Sequence, residues 1–371
     1  MAIWKIDELG EFVTLKRGYD LPQQKRKNGE IPIFSSSGVT GTHNEAMVEA
    51  PGVITGRYGT IGEVFFAETS FWPLNTTLYV ENFHENDEKF VYYFLKTLEW
   101  KKFASASAVP GINRNTVHKE IVRFPDFETQ QKIASVLSTI DKKIAVNKAI
   151  NDNLEQQAAT YFQELFINNA NPMWQISTIS DLGTVVGGST PSKTKPEYYT
   201  NNGIAWITPK DLSINKSKFI SHGENDITEL GLKNSSATVM PKGTVLFSSR
   251  APIGYIAIAS NEVTTNQGFK SVIPYSEIGT AFVYFFLKHS LPVIESAASG
   301  STFKEISGSA MKNIPAIIPD RNTLDQFNSF CAPIFAQQKI LEEQNHSLAM
   351  LRDSLLPKLM SGAIDIASIQ L

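Results

Sequence analysis

Phe90-Val91-Tyr92-Tyr93-Phe94-Leu95-Lys96 returns 192 residues later, nearly letter for letter, as Phe282-Val283-Tyr284-Phe285-Phe286-Leu287-Lys288. Weaker echoes surround the pair. Gly56-Arg57-Tyr58-Gly59-Thr60-Ile61-Gly62 has a counterpart in Ser249-Arg250-Ala251-Pro252-Ile253-Gly254, and Trp4 through Leu9-Gly10 in Trp174 through Leu182-Gly183. Ile31-Pro32-Ile33-Phe34 matches Ile204-Ala205-Trp206-Ile207, and Pro125-Asp126 matches Pro319-Asp320 at an offset of 194. The chain is therefore two diverged copies of one unit. Two copies are too few for a solenoid, whose repeats need stacked neighbours to bury a continuous core, so the spacing predicts a pseudo-twofold molecule.

Each copy divides into a globular part and a helix. Residues 1–125 and 171–320 hold short β-type runs between glycine and proline turns, such as Gly52–Thr55, Val64–Phe66, Thr77–Val80, Thr244–Phe247 and Tyr255–Ile258. The aromatic segments 90–96 and 282–288 read as helices packed on those strands. Residues 126–170 and 321–371 carry a different signal. In the first, apolar-seam positions step by four and three through Ile133, Leu137, Ile140, Ile144, Asn147, Asn151, Leu154, Ala158, Tyr161 and Leu165. The second runs Phe327, Cys331, Ile334, Gln338, Leu341, Asn345, Leu348, Arg352, Leu355, Leu359, each 194 residues on. A 3.5-residue repeat over four and more heptads is a coiled-coil seam, and polar residues near its middle fix register and partner. Thr323 with Gln326 suggests a capping box, Pro357 a kink in the last turns, and Ser361-Gly362 a stop. About 38 helical residues at 1.5 Å each span roughly 55–60 Å. The expected fold class is α+β: two mixed α/β globular domains separated by two long helices that pair as an antiparallel coiled coil, with a pseudo-twofold internal repeat. Such a dumbbell suits a partner of matching two-fold geometry, as duplex DNA read at two half-sites is.

Composition narrows the class. Hydrophobic content of 42% and charged content of 19% describe an ordinary globular chain, and no apolar run reaches the roughly 18 residues of a bilayer-crossing helix. The start, Met1-Ala2-Ile3-Trp4-Lys5, lacks a signal segment, and the single cysteine, Cys331, forbids an intrachain disulfide, which fits a reducing cytoplasm. Net charge is −3, whereas a free-standing DNA binder usually has a basic balance. Residues 1–125 carry 14 basic and 15 acidic groups, and 171–320 carry 12 and 11. A DNA-gripping chain of this balance needs its cations on one face or a partner that supplies phosphate contacts.

Catalytic motifs are missing. Asn171-Pro172-Met173-Trp174 approximates the Asn-Pro-Pro-aromatic motif of amino-methyltransferases without its second proline, at a domain junction. Gly187-Gly188-Ser189-Thr190-Pro191-Ser192-Lys193-Thr194 has serine where a P-loop has its second glycine, and Pro191 removes a backbone N–H from the phosphate cradle. Both Pro-Asp pairs stand before long helices, where aspartate is a normal cap. The six histidines, at 43, 84, 118, 222, 289 and 346, show no paired ligand spacing, so no metal site is expected. There is no G-x-S-x-G elbow. The chain reads as non-catalytic.

Two tandem globular copies, each followed by a long heptad helix, resemble the specificity subunit of Type I restriction-modification enzymes. Val245 through Gly254 (VLFSSRAPIG), Thr265-Asn266-Gln267-Gly268-Phe269, Gln131-Lys132-Ile133 and Leu355 through Gly362 (LLPKLMSG) are similar to family segments, while Pro357 departs from the family pattern. The resemblance covers essentially the whole chain. It implies target-recognition domains at 1–125 and 171–320 and helical spacers at 126–170 and 321–371. Each domain would read one half of a bipartite double-stranded DNA target in the major groove, and the helices would set the gap. Two methyltransferase subunits would dock on the helices and carry S-adenosylmethionine, so this chain would bind no cofactor itself. Motor-nuclease subunits would complete the assembly, in the cytoplasm and without a membrane. Two other readings stay open: a related two-subunit or fused methylation system, fusion being disfavoured by the bare ends at 1 and 371, and a coiled-coil adaptor with no DNA role.

Base reading needs forked donors and acceptors at loop tips, whereas lysine, serine and threonine suffice for phosphates. Candidate DNA contacts in the first domain are Ser35, Ser36, Arg57, Tyr58, Thr60, Asn75, Asn113 and Arg114. In the second they are Thr208, Lys210, Ser249, Arg250, Asn266, Gln267, Ser301 and Lys304. Arg57 and Arg250 occupy matched positions and equally well hold a shared loop in shape. Positions that differ between copies, such as Asn113-Arg114 against Glu305-Ile306, are expected to carry what differs between half-sites.

Overall fold

Both globular cores are completed by the long helices. The computed structural model describes residues 3–105, 110–300 and 304–366. Its two long helices run Phe127–Gln163 and Arg321–Met360. The chain divides into two compact units, Met1–Ala145 with His346–Leu371, and Val146–Asn345. Each helix thus gives one half to each unit. The sequence reading set the helices apart as spacers of their own, but their apolar stripes are absorbed into the cores of the globular parts.

In the first unit, Ile133, Ala134, Val136 and Leu137 of the first helix share one core with Leu355, Leu356, Leu359 and Met360 of the second. Phe12, Phe90, Phe94 and Phe124 of the globular part fill the same core, with Phe12 and Phe124 rings 4.3 Å apart. In the second unit, Ala158, Phe162 and Phe166 join Phe327, Cys331 and Ile334 around Phe282 and Phe285. Partners on one helix descend in number as those on the other rise. Asp141 pairs with Arg352 at 2.8 Å in the first unit. In the second, Asn147 Nδ2 donates to Asn345 Oδ1 at 3.0 Å, Gln338 Nε2 to Asn151 O at 3.1 Å, and the Tyr161 and Phe330 rings lie 4.6 Å apart. Within each unit the pairing is antiparallel. Every position of the 4-3 stripe, from Ile133 to Leu165 and from Phe327 to Leu359, is buried or half-buried, Ile140, Ile144, Leu154, Leu341 and Leu348 included.

Aspartates start both helices. Asp126 accepts from the N–H of Thr129 (3.0 Å) and of Ile3 (2.7 Å), and Asp320 from the N–H of Thr323 (3.0 Å). The expected Thr323–Gln326 capping box is therefore displaced, because the helix begins at Arg321 and Thr323 already lies inside it. The expected kink at Pro357 interrupts nothing: helix continues to Met360, and Ser361 N–H still reaches Pro357 O at 3.0 Å. Gly362, with φ of +73°, ends it. A second proline, Pro333, sits in the same helix.

The internal repeat holds at the level of strand order. The first unit has an antiparallel sheet ordered 14–17, 77–82, 52–56, 64–67, and the second has 183–187, 270–274, 245–249, 253–259, extended by a parallel strand at 219–220. A smaller sheet combines Ile31–Ser35 with an antiparallel neighbour, Gly38–His43, and a parallel one, Trp72–Pro73. Its counterpart places Ile204–Ile207 between antiparallel Asn225–Ile227 and parallel Thr264–Thr265. A two-stranded ribbon joins the ends of each globular part: Trp4–Glu8 with Ile121–Pro125, and Gln175–Thr178 with Pro315–Ile318. The short aromatic helices, Glu88–Lys96 and Thr280–His289, lie where the repeated motif was read.

A buried polar knot ties the second globular part to both helices. Lys218, 7% exposed, contacts the Glu155 carboxylate of the first helix and donates to Gln338 Oε1 of the second at 2.7 Å. Its ammonium lies 4.1 Å from the Phe335 ring centroid. Glu342 accepts the backbone N–H of Lys218 (2.8 Å) and of Phe219 (3.1 Å), and Lys288 meets Glu155 at 2.5 Å. Burial pushes the Lys218 ammonium below its ordinary range and the Glu342 carboxyl above its own. Burial also works against ionising Glu155, but Lys218 and Lys288 outweigh it and hold its carboxyl low.

Lys218→Ala leaves half-buried Glu155 with Lys288 as its one remaining cation and Gln338 without its donor, and is expected to cost about 1–3 kcal/mol in urea unfolding. Replacing the pair together, Lys218→Met with Glu155→Gln, is expected to cost clearly less. The caps set a pH dependence. Backbone N–H groups, those of Thr129 and then Ile3 at Asp126 and that of Thr323 first at Asp320, hold both carboxyls below their usual range. Depressed folded values mean their stabilisation is full above the unfolded value near 3.9 and lost as pH falls through the folded ones. Asp126→Asn with Asp320→Asn, which keeps a capping acceptor, is expected to flatten the fall of the urea midpoint below about pH 4.

Candidate nucleic-acid interface

In the first unit the backbone gathers four loops into one cluster. The N–H groups of Arg57 and Tyr58 both donate to Thr76 O, at 2.9 and 3.2 Å, and Ile112 N–H donates to Arg57 O at 3.1 Å. A Cβ on Gly56 would fall 1.9 Å from Thr60 O and 3.1 Å from Ser36 O, so glycine alone permits the turn at 57–60 beside the 35–37 turn. At Gly111 a Cβ would stand 2.1 Å from the Tyr58 ring, so a side chain there would have to displace that ring. The segments carrying Ser35, Ser36, Arg57, Tyr58, Thr60, Asn75, Asn113 and Arg114 therefore meet.

Their side chains are not equivalent. Arg57 donates from Nε to Ile112 O at 3.1 Å, with its guanidinium 4.5 Å from the Tyr58 ring centroid. Asn113 accepts from Asn115 N–H at 3.0 Å and caps the helix Arg114–His118. Ser35 Oγ lies 3.0 Å from Ser37 Oγ, and Asn75 binds Asp20. Thr60 and Arg114 are exposed. Beside Arg114, His118 accepts Leu15 N–H at 2.9 Å, and burial followed by the Arg114 charge lowers its pKa.

The second unit builds the matching cluster. Ser249 N–H donates to Gly268 O (2.7 Å), Ile306 N–H to Ser249 O (3.1 Å), Asn266 N–H to Ile207 O (3.0 Å) and Ser189 N–H to Thr265 O (2.8 Å). Lys210 pairs with Glu224 at 2.6 Å, Gln267 accepts the Thr190 hydroxyl, and Lys304 is exposed. Arg250 Nη1 meets Glu305 Oε2 at 3.2 Å.

Several expectations need revision. Ser249 is fully buried, so its side chain is a strand-interior group rather than a loop-tip reader. Thr208 gives its N–H and hydroxyl to Asp211 Oδ2, at 2.7 and 2.6 Å, and opens the helix Pro209–Ile214. Asn266 Oδ1 accepts Gly268 N–H at 2.8 Å and shapes its own turn. Ser301 lies outside the described residues. The comparison of Asn113-Arg114 with Glu305-Ile306 slips by two residues. Ile112 and Ile306 make the same backbone bond, to Arg57 O and Ser249 O, so Arg57 matches Ser249 rather than Arg250, which stands opposite Tyr58. Asn113 likewise matches Ser307, which caps its own short helix by accepting Ala310 N–H at 3.1 Å. Arg114 then stands opposite Gly308, and Glu305 opposite Gly111.

Lys270 belongs to the second cluster and escaped the sequence reading, and Glu305, singled out there only as a difference between the copies, belongs to it as well. Lys270 follows an apparently ordinary turn, and nothing local marks either residue. Gly188 is a packing position, since a Cβ there would fall 2.0 Å from Asn266 O, whereas Gly187 has room for one. Among the described residues no group of three or more His, Cys, Asp or Glu side chains is placed to hold a metal. Burial pushes the Cys331 thiol up to about 12.

The sequence model of the family described as "Type I restriction modification DNA specificity domain" matches residues 1–156 and 171–345. The chain belongs to this family. Its two matched stretches coincide with the two copies of the repeat, helix starts included. Among similar proteins, the MjaIX specificity subunit of Methanocaldococcus jannaschii is 43% identical over 162 residues, which is 43% of this chain and 37% of that subunit. The HindI specificity subunit of Haemophilus influenzae is 24% identical over 347 residues, covering 72% of this chain and 75% of that one. The chain thus spans little more than a third of the first relative and three quarters of the second. A crystal structure of the Type-I restriction-modification system S subunit from M. genitalium superposes with a TM-score of 0.65 over 96% of both chains at 17% identity, a likeness of fold. No helix of the described residues is long and apolar enough to cross a membrane.

Arg114, exposed and without a basic counterpart at Gly308, is one residue by which the two clusters differ in charge. Arg114→Ala is expected to relax or abolish recognition at one half-site only, read as a change in one word of the methylation motif.

Proposed function

We propose that the chain is the non-catalytic DNA-specificity subunit of a Type I restriction-modification complex. One globular part reads each half of a bipartite target, in the major groove of double-stranded DNA. The observation that carries this reading is the pair of loop clusters: one backbone framework, Gly56–Thr60 with Ile112 and Ser249–Gly254 with Ile306, bears different polar side chains in the two units. One scaffold presenting two chemistries is what reading two words requires. Arg57, Arg114, Arg250 and Gln267 have the forked donors and acceptors that base edges match, and Lys210, Lys304, Ser36 and Thr60 suit phosphates.

The antiparallel helix pairs set the distance between the half-sites, and together with the ribbons at 4–8 and 175–178 they dock two methyltransferase subunits. Those partners carry S-adenosylmethionine, this chain binds no cofactor, and motor-nuclease subunits join to form the restriction complex in the cytoplasm. Methyltransferases also supply much of the phosphate grip, which fits a chain of net charge −3.

Co-expression with a cognate methyltransferase subunit in a methylation-free host, followed by genome-wide mapping of modified adenines, tests the reading. The expected result is one new split motif, two short words with a fixed unspecified gap. A stable complex that modifies nothing would favour the adaptor reading instead.

A further inference from the structure

Arg57 and Arg250 occupy equivalent loops, yet different partners hold them. Arg57 is fixed by a backbone carbonyl and an aromatic face, Ile112 O and the Tyr58 ring. Arg250 is fixed by charge: Nη1 meets Glu305 Oε2 at 3.2 Å, while Glu305 Oε1 lies 3.7 Å from Lys270 Nζ. Glu305 is not on a free loop. Its N–H and C=O bond both backbone groups of Ser299, at 2.9 and 3.0 Å, and its neighbour Ile306 is tied to Ser249. Arg250 directly follows the main-sheet strand Val245–Ser249, bridges to Glu305, and precedes Ala251, held at φ of +56°, a conformation unfavourable for a residue with a Cβ. The backbone on both sides is fixed, and a rigid support of this kind is what a binding group needs.

The pair itself is more than a third exposed on both sides, and exposed pairs contribute little to stability. One contact to Glu305 also leaves the guanidinium donors unsaturated, because arginine has five N–H groups. Arg250 and Glu305 line an open cavity of about 630 Å³ together with Pro252, Ile253, Glu295 and Lys304. Resting on the reading of this chain as a DNA-specificity subunit, we propose that Glu305 is a positioning residue for specificity. It orients the Arg250 fork so that its remaining donors take O6 and N7 of a guanine in the half-site read by the second globular part. Lys270 neutralises the second carboxylate oxygen and keeps Glu305 from folding over both arms of the fork.

The test maps adenine methylation by the full chain, assembled with its methyltransferase subunits, for the wild type and for Glu305→Ala, Glu305→Gln and Arg250→Lys. Arg250→Lys keeps the charge and loses the fork, so one guanine of one half-site should become degenerate. Glu305→Ala should relax that same position, with discrimination falling about 5- to 150-fold, while the other half-site stays intact. Glu305→Gln, which retains an acceptor, should restore the guanine. It should also steepen the salt dependence of DNA binding by up to about one unit of log–log slope, since a negative charge has left the interface.

A purely structural role for Glu305 would instead lower the melting temperature and weaken both half-sites together. That result overturns the proposal, as does an unchanged motif in Glu305→Ala or a degenerate position different from that of Arg250→Lys. Absence of any motif with the wild type strikes the functional reading itself, and the proposal falls with it.

Discussion

Neither globular core closes without both long helices. In the first unit Leu359 and Met360 lie in the same apolar cluster as Leu9 and Phe12, near the other end of the chain, and Gly362 has no room for a Cβ against the Trp4 indole. The stripe residues Ile133, Ala134, Val136, Leu137, Leu359 and Met360 share one buried cluster with Leu95, Val122 and Phe124, where apolar burial stabilises by roughly 25 cal/mol per Å². The 4-3 spacing of the helices therefore does two things. It pairs the helices with each other, and it binds each to a globular part, so that a residue such as Ile133 or Phe327 serves both contacts.

Because that constraint is mostly apolar and tolerant of sliding, the polar exceptions on the stripe carry the register. Asn147 against Asn345 and Gln338 against Asn151 bond only when the helices are in step. Asp141, held between Tyr93 Oη at 2.6 Å and Arg352 at 2.8 Å, does the same for the first unit and ties the aromatic helix in. In the second unit the Lys218 knot has that task, with both helices and the globular part meeting at one ammonium. A misregistered pairing would leave a buried lysine and two carboxylates without partners, a penalty of several kcal/mol. These groups weaken the stripe as apolar surface and sharpen it as a specification.

What could be read from the sequence was whatever repeats. The heptad stripe, the aromatic helix and the β-type runs each appear twice, and two copies of a weak signal reinforce each other. The features that repeat only in space were hidden. Lys218 stands 63 residues from Glu155 and 120 from Gln338, with no periodicity linking them. The burial of Ser249 could not be seen because all five residues of Val245–Ser249 are interior, so the alternation that separates inside from outside is lost. The slip between Asn113 and Glu305 has a geometric source. The repeat offset drifts from 170 at Trp4 to 194 at Pro125, so a fixed spacing fails at a loop. Backbone bonds at Ile112 and Ile306 restore the alignment, and they turn a supposed difference, Asn113, into a shared helix cap.

The distribution of charge then bears on how such a chain could work. Many of its cations are already engaged: Lys218 is buried, while Lys16, Lys102 and Lys210 each hold a carboxylate within 2.6 Å. With a net charge of −3 the chain has no surplus of cations over carboxylates to offer phosphates, and phosphate contacts supply the sequence-independent part of DNA affinity. A reader with weak non-specific grip has a consequence on the proposed function. Its own contribution to binding is concentrated in base-edge contacts, so the ratio of specific to non-specific affinity is high even though the total is low. Total affinity would come from partners that grip without discriminating. Division of labour of that kind asks rigid loops of this chain, and the glycine-locked turn at Gly56 and the backbone-tied Glu305 meet that demand.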